Sequence, residues 1–158
     1  AADEHLAPAL GRGDFLPRAT RKALELLDRE AARRGTGFLL MVEGSQIDLA
    51  GHAGDIAWMQ AEMRDFDRAV AEAMAYADRV PGVLVVVTAD HETGGLSIPA
   101  LEADFTRADS GIDYHLSTRN HSATMVPVYL YGTGADRIHG VMDNTELSRR
   151  IMELLGLQ

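Results

Sequence analysis

The sequence predicts an α/β fold: three layers, α/β/α, around a mostly parallel sheet that includes one antiparallel strand. Three observations predict it. Short apolar runs at residues 37–43 and 83–87 alternate with long segments of helical periodicity, the pattern of a parallel sheet covered on both faces. Each run leads directly to side chains that ligate metals, Glu43 in one case and the adjacent Asp90 and His91 in the other. That is where open α/β sheets collect their chemistry. Finally, His121 precedes an apolar run, residues 126–131, rather than following one. To bring His121 to the same rim, that strand has to run antiparallel to the other two.

The elements follow in order. The first sixteen or so residues are polar and punctuated by Pro and Gly, and read as a loop. Residues 17–34 form a helix with Leu24, Leu27 and Ala31 on one face and Gly35 as its stop. The first strand follows, centred on 38–42, and then a short ligand segment. Asp48 and His52, four residues apart, fall on one face if Asp48 opens a helix. A long helix spans about 54–78, where Ile56, Met59, Met63, Phe66, Val70, Ala73 and Ala77 recur at alternating three and four. Pro81-Gly82 ends it and starts the second strand. Between Pro99 and Asn120 the periodicity dissolves into a long loop able to lie over the site. Asp143-Asn-Thr-Glu146 resembles a capping box before a last helix carrying Leu147, Ile151 and Leu154.

Composition narrows the function. A chain of 158 residues is about one domain. The formal net charge of −9 excludes nucleic acid as a partner, because such binding rests on basic side chains neutralising phosphates. No apolar stretch approaches the roughly 20 residues of a membrane helix, so no membrane partner is expected. With no cysteine, structural disulfides and thiolate metal sites are ruled out.

Glu43, Asp48, His52, Asp90, His91 and His121 therefore remain as candidate ligands. Carboxylate oxygen with imidazole nitrogen is a donor set that zinc accepts. Taken singly, a helix-start Asp more often caps than coordinates, whereas a carboxylate closing an apolar strand is costly to bury unpaired. His5, His115 and His139 read as loop or surface residues, and Arg119 as a solvated loop arginine.

Three motifs, Val42-Glu-Gly-Ser-Gln-Ile-Asp-Leu-Ala-Gly-His52, Thr88-Ala-Asp-His91 and His121-Ser-Ala-Thr-Met-Val-Pro-Val-Tyr129, resemble those of the alkaline phosphatases in order, spacing and flanking hydrophobicity. The resemblance runs from the helix near Thr20 onward. It implies the alkaline-phosphatase fold and a phosphomonoester hydrolase with two zinc ions and one magnesium ion, acting through a phosphoserine. It makes Asp48, His52 and His121 the first zinc's ligands, Asp90 and His91 ligands of the second, and Glu43 the magnesium carboxylate.

The family also uses a serine nucleophile in an Asp-Ser-Ala context, a further Asp shared by two metals, a Thr on magnesium and a phosphate-clamping Arg. These have no counterpart in this chain, whose Asp109-Ser110 pair reads as a turn. The expectation is a single partial domain, the carboxyl-terminal part of the catalytic domain, with no catalytic nucleophile of its own. Its partners would be a phosphomonoester, inorganic phosphate and the missing amino-terminal part. By the same resemblance the full protein is a homodimer and periplasmic or secreted. Two rivals stay open: a non-catalytic metal-binding fragment, and a related phosphotransferase such as a cofactor-independent phosphoglycerate mutase.

Overall fold

The computed structural model describes residues 11–104, 106 and 111–157. Helix α1 (Phe15–Arg34) begins two residues before the expected start and stops at Gly35, whose φ of 66° lets its N–H bond back to the Ala31 carbonyl. Helix α2 (Gln46–Ala53) carries Asp48 and His52. Helix α3 (Ile56–Ala77) starts at Asp55, whose carboxylate accepts the Trp58 N–H at 2.9 Å. α3 packs against both α1 and α2 and also against the strands at Leu84–Val87 and Tyr129–Gly132.

The most buried face of α3 is not its apolar stripe. Met59, Glu62, Asp65, Ala69 and Tyr76 are buried, whereas Met63 is half exposed. Two carboxylates sit inside because Arg12 comes in from outside the helix. Its guanidinium donates to Asp65 Oδ2 at 2.9 Å and to Glu62. Arg68 takes the other oxygen of Asp65 at 2.8 Å, and the Trp58 indole N–H donates to Glu62 at 3.0 Å. Buried charge is tolerated only when paired in this way. Lower down, the Tyr76 hydroxyl donates to Asp28 at 2.8 Å; burial first, and Asp28 second, push its pKa up to about 12.

All strand pairing among the described residues is antiparallel. Strand β1 (Leu84–Val87) pairs with β6 (Tyr129–Gly132), with Leu84 opposite Gly132 and Val87 opposite Tyr129. The expected antiparallel relation of the last strand to the 83–87 run is therefore present. The strand expected at 38–42 is not. That segment pairs with no described strand, and Leu39 and Met41 are 74 % and 86 % exposed. The Phe38 ring faces Tyr76 of α3 at a centroid distance of 6.2 Å. Exposure alternates along 38–42, with Leu39 and Met41 the exposed positions. A strand exists only with a neighbour to take its N–H and C=O groups, and no described residue supplies one here.

The expected loop at 99–120 is also partly ordered into ladders. β3 (Leu96–Ser97) pairs with β4 (His115–Leu116), and an Ala100–Ile112 bridge extends the hairpin. β2 (Glu92–Thr93) pairs with β5 (His121–Ser122). His5 and the Asp109-Ser110 pair lie outside the described residues. A short 3-10 turn (Ala135–Arg137) leads toward helix α4 (Asn144–Leu154). The capping box before α4 does not close: Asp143 makes no side-chain cap. The Glu146 carboxylate is taken instead by Arg149 and Arg150, which pull its pKa down to about 2. No described helix is long and apolar enough to cross a membrane.

Removing Arg12 would leave the two buried carboxylates with only Arg68 and the Trp58 indole as partners among the described residues. Arg12→Met is expected to destabilise the fold by about 3 kcal/mol, the scale for breaking one partner of a buried ion pair. Urea unfolding measures it, and a loss below about 1 kcal/mol would mean the network is not holding α3.

Candidate metal centre

The site forms where α2 meets the β2–β5 ladder. Gly51 makes that approach possible: a Cβ there would stand 2.9 Å from Thr93 Cγ2, closer than packed carbons come. One turn of α2 presents Asp48 and His52 together. β2 follows directly on His91, and β5 opens with His121, opposite Thr93 in the ladder. Local chain geometry and one short ladder thus deliver four side chains to one place.

Their ligand atoms are close. His52 Nε2 lies 3.4 Å from Asp48 Oδ1 and 3.1 Å from His121 Nε2, and His121 Nε2 lies 3.6 Å from the same Asp48 oxygen. Around a tetrahedral ion with bonds of about 2.0–2.1 Å, ligand atoms stand about 3.3–3.4 Å apart. The three separations bracket that value. Asp48, His91 and His121 likewise place one ligand atom each within 4.8 Å of one another. The His91 and His121 rings stack at 3.6 Å. Next to this cluster, Asp90 Oδ2 stands 3.2 Å from His91 Nε2 and is open to solvent.

Orientation comes from neighbours. His52 Nδ1 lies 2.6 Å from the Arg119 carbonyl. A carbonyl only accepts, so Nδ1 carries a proton, and in the neutral ring Nε2 presents its lone pair to the cluster. Thr93 Oγ1 donates to Asp48 Oδ1 at 2.6 Å and sits 3.3 Å from His91 Nδ1. Glu92 ties the ladder to the following turn. It accepts from Ser122 Oγ, and from the backbone N–H groups of Gly95 and Leu96 at 3.1 Å each. The Ser122 bond first, then those amides, hold its carboxyl below the usual carboxylate range.

Of the six candidate ligands, the structure gathers Asp48, His52, His91 and His121, with Asp90 beside His91. Glu43 is not brought in; it is exposed at the end of the unpaired segment. His115 pairs with Asp113 at 3.1 Å instead. Thr93, Glu92 and the Arg119 carbonyl were not singled out for these roles from the sequence. Thr93 and Glu92 carried one available signal, their position immediately after Asp90-His91. A main-chain carbonyl carries none.

Comparison with known proteins shows which family the chain resembles. Residues 15–110 match the family profile described as alkaline phosphatase. The chain is 38 % identical to streptomycin-6-phosphate phosphatase of Streptomyces griseus, over 90 % of this chain and 35 % of that protein. It is 28 % identical to alkaline phosphatase 4 of Bacillus subtilis, over 98 % of this chain and 47 % of the relative. Among solved structures, the alkaline phosphatase from the Antarctic bacterium TAB5 superposes with a TM-score of 0.84 at 36 % identity, over 96 % of this chain and 44 % of that one. A variant of the TAB5 enzyme, solved with Mg bound in its M3 site, superposes at 0.83. The chain therefore has an alkaline-phosphatase-like fold and spans between a third and a half of the length of these relatives.

The Glu92 clamp has a pH signature. Its depressed carboxyl stabilises the fold above the ordinary value of 4.5, and that contribution is lost as pH falls through the lower folded value. Thermal midpoints should therefore drop on acidification from about pH 4.5 downward, and less steeply in Glu92→Gln. Identical pH slopes for the two proteins would show that the clamp contributes nothing.

Proposed function

This chain belongs to the alkaline phosphatase family, and on that premise we propose that it carries the zinc-ligating part of a phosphomonoester hydrolase. The observation that carries the reading is the triangle of Asp48 Oδ1, His52 Nε2 and His121 Nε2, with edges of 3.1, 3.4 and 3.6 Å. Three protein ligands at tetrahedral spacing leave a fourth position open, the mark of a catalytic rather than a structural zinc. Asp90 and His91, 3.2 Å apart, are two ligands of a second zinc. Glu43 is assigned to magnesium, whose preference is for oxygen.

The chain's own residues do the preparatory work. The Arg119 carbonyl fixes the Nδ1 proton of His52 and frees Nε2. Thr93 occupies one lone pair of Asp48 Oδ1 and leaves the other directed at the cluster. Stacking of His91 on His121 sets the two sites side by side. When bound, a metal pair of this kind supplies charge stabilisation to the attacking and leaving oxygens of an in-line phosphoryl displacement.

The remaining family parts are proposed to come from a companion segment of the same domain. They are the serine that becomes phosphorylated, the shared Asp, the magnesium Thr and the phosphate-clamping Arg. Exposed Leu39 and Met41 support this, as does the chain's 35–47 % share of its relatives. Strands from that segment would pair with 38–42, complete a mostly parallel sheet between two helix layers and bring Glu43 into the site. Phosphomonoesters, inorganic phosphate, a homodimeric state and a periplasmic or secreted location belong to the same proposal.

Zinc titration tests the ligand set. The 158-residue chain should bind one zinc tightly and further metal weakly, and His121→Ala should abolish the tight site. Unchanged affinity in that variant would refute the assignment. Assayed alone with zinc and a chromogenic phosphomonoester, the chain should turn over far more slowly than the roughly 1 to 1,000 per second of typical enzymes. Turnover within that range would require a nucleophile inside the chain.

A further inference from the structure

The metal reading leaves one cation beside the cluster without a role. Arg119 makes no ion pair with a described residue, yet its guanidinium is pressed onto α2. A Cβ on Gly54 would fall 2.0 Å from Arg119 Nη1, 2.2 Å from Cζ and 2.7 Å from Nη2. The planar group therefore lies against the bare Cα of Gly54, in space that any other residue would fill. Gly54 is the C-cap of α2, with φ 66° and its N–H turned back to the Ala50 and Gly51 carbonyls. A cation at this end of a helix also meets the partial negative charge of its last carbonyls.

The same residue accepts from His52 through its carbonyl at 2.6 Å. Around it, the strap between β4 and β5 is tied to the turn after β2. Thr118 N–H donates to the Gly94 carbonyl and Gly94 N–H to the Asn120 carbonyl, each at 3.0 Å. Those bonds fix the strap to the ladder but not to α2. Between strap and helix stand the His52–carbonyl bond and the guanidinium seated on Gly54.

We propose that Arg119 is a positioning residue for the metal centre. By laying its guanidinium over Gly54, it holds its own carbonyl at the His52 Nδ1 proton, and so fixes the tautomer and ring orientation that present Nε2. The inference rests on the metal reading for its consequence, but not for its geometry. It also gives Gly54 a purpose beyond ending a helix: the glycine is the seat of the arginine. Partners that orient a ligand through its second nitrogen typically change metal affinity by 10- to 100-fold.

The test has two readouts on the 158-residue chain. Long-range proton–nitrogen NMR of the metal-free chain, at mildly alkaline pH, should show His52 as the Nδ1–H tautomer. Arg119→Ala should shift it toward the Nε2–H form that free histidine favours. Zinc affinity, by competition with a chromophoric chelator, should fall about tenfold in the same variant. Gly54→Ala should reproduce both changes by displacing the guanidinium, and should weaken zinc binding less when placed in Arg119→Ala than in the parent. An unchanged tautomer, or fully additive losses in the double variant, would overturn the proposal. If the parent chain bound no zinc at all, the metal reading would fail while the tautomer measurement still decided the role of Arg119.

Discussion

The centre depends on how closely one short helix can approach one short ladder. Asp48 and His52 ride on α2, while His91 and His121 ride on the segments joined by the β2–β5 pairing. The four meet because Gly51 carries no side chain that would hold helix and ladder apart. Once they meet, the chemistry is constrained. With His52 neutral and its proton on Nδ1, Nε2 offers a lone pair 3.1 Å from another imidazole nitrogen and 3.4 Å from a carboxylate oxygen. Such an arrangement is stable only with a proton or a cation between the partners. A divalent metal satisfies all three donors together, which is why the geometry reads as a ligand set rather than as a hydrogen-bonded cluster.

The acidic chain poses a second constraint. With a formal net charge of −9, its surface field repels a phosphate ester. Bound divalent ions reverse that field locally, so metal binding would serve attraction as well as chemistry. The buried Arg12–Glu62–Asp65 network lies between α3 and the segment before α1. It holds in place the helix on which α2 and the strands pack.

Helical parts were legible in the sequence because their signals are local. The 3–4 recurrence, Gly35 after α1 and the four-residue spacing of Asp48 and His52 all act within a few turns. What escaped was decided by distant partners. The apolar run at 38–42 reads as a strand but has nothing to pair with among the described residues. Glu92-Thr93 and His121-Ser122 do form a ladder, yet they lack the apolar alternation that announces one. On α3 the apolar periodicity gave no sign that Glu62 and Asp65 are buried, because Arg12, some fifty residues away, is invisible to periodicity. At the site, ligand types and their order were legible. The pairing that brings His121 to His52, the Thr93 bond to Asp48 and the Arg119 carbonyl belong to three-dimensional structure alone.

The most direct test of the account is zinc K-edge X-ray absorption on the chain loaded with one equivalent of zinc. The geometry predicts four-coordinate zinc with nitrogen and oxygen ligands at about 2.0–2.1 Å, and the multiple-scattering signature of two imidazoles. A six-coordinate ion, or a first shell without imidazole, would contradict the assignment of Asp48, His52 and His121 as one site.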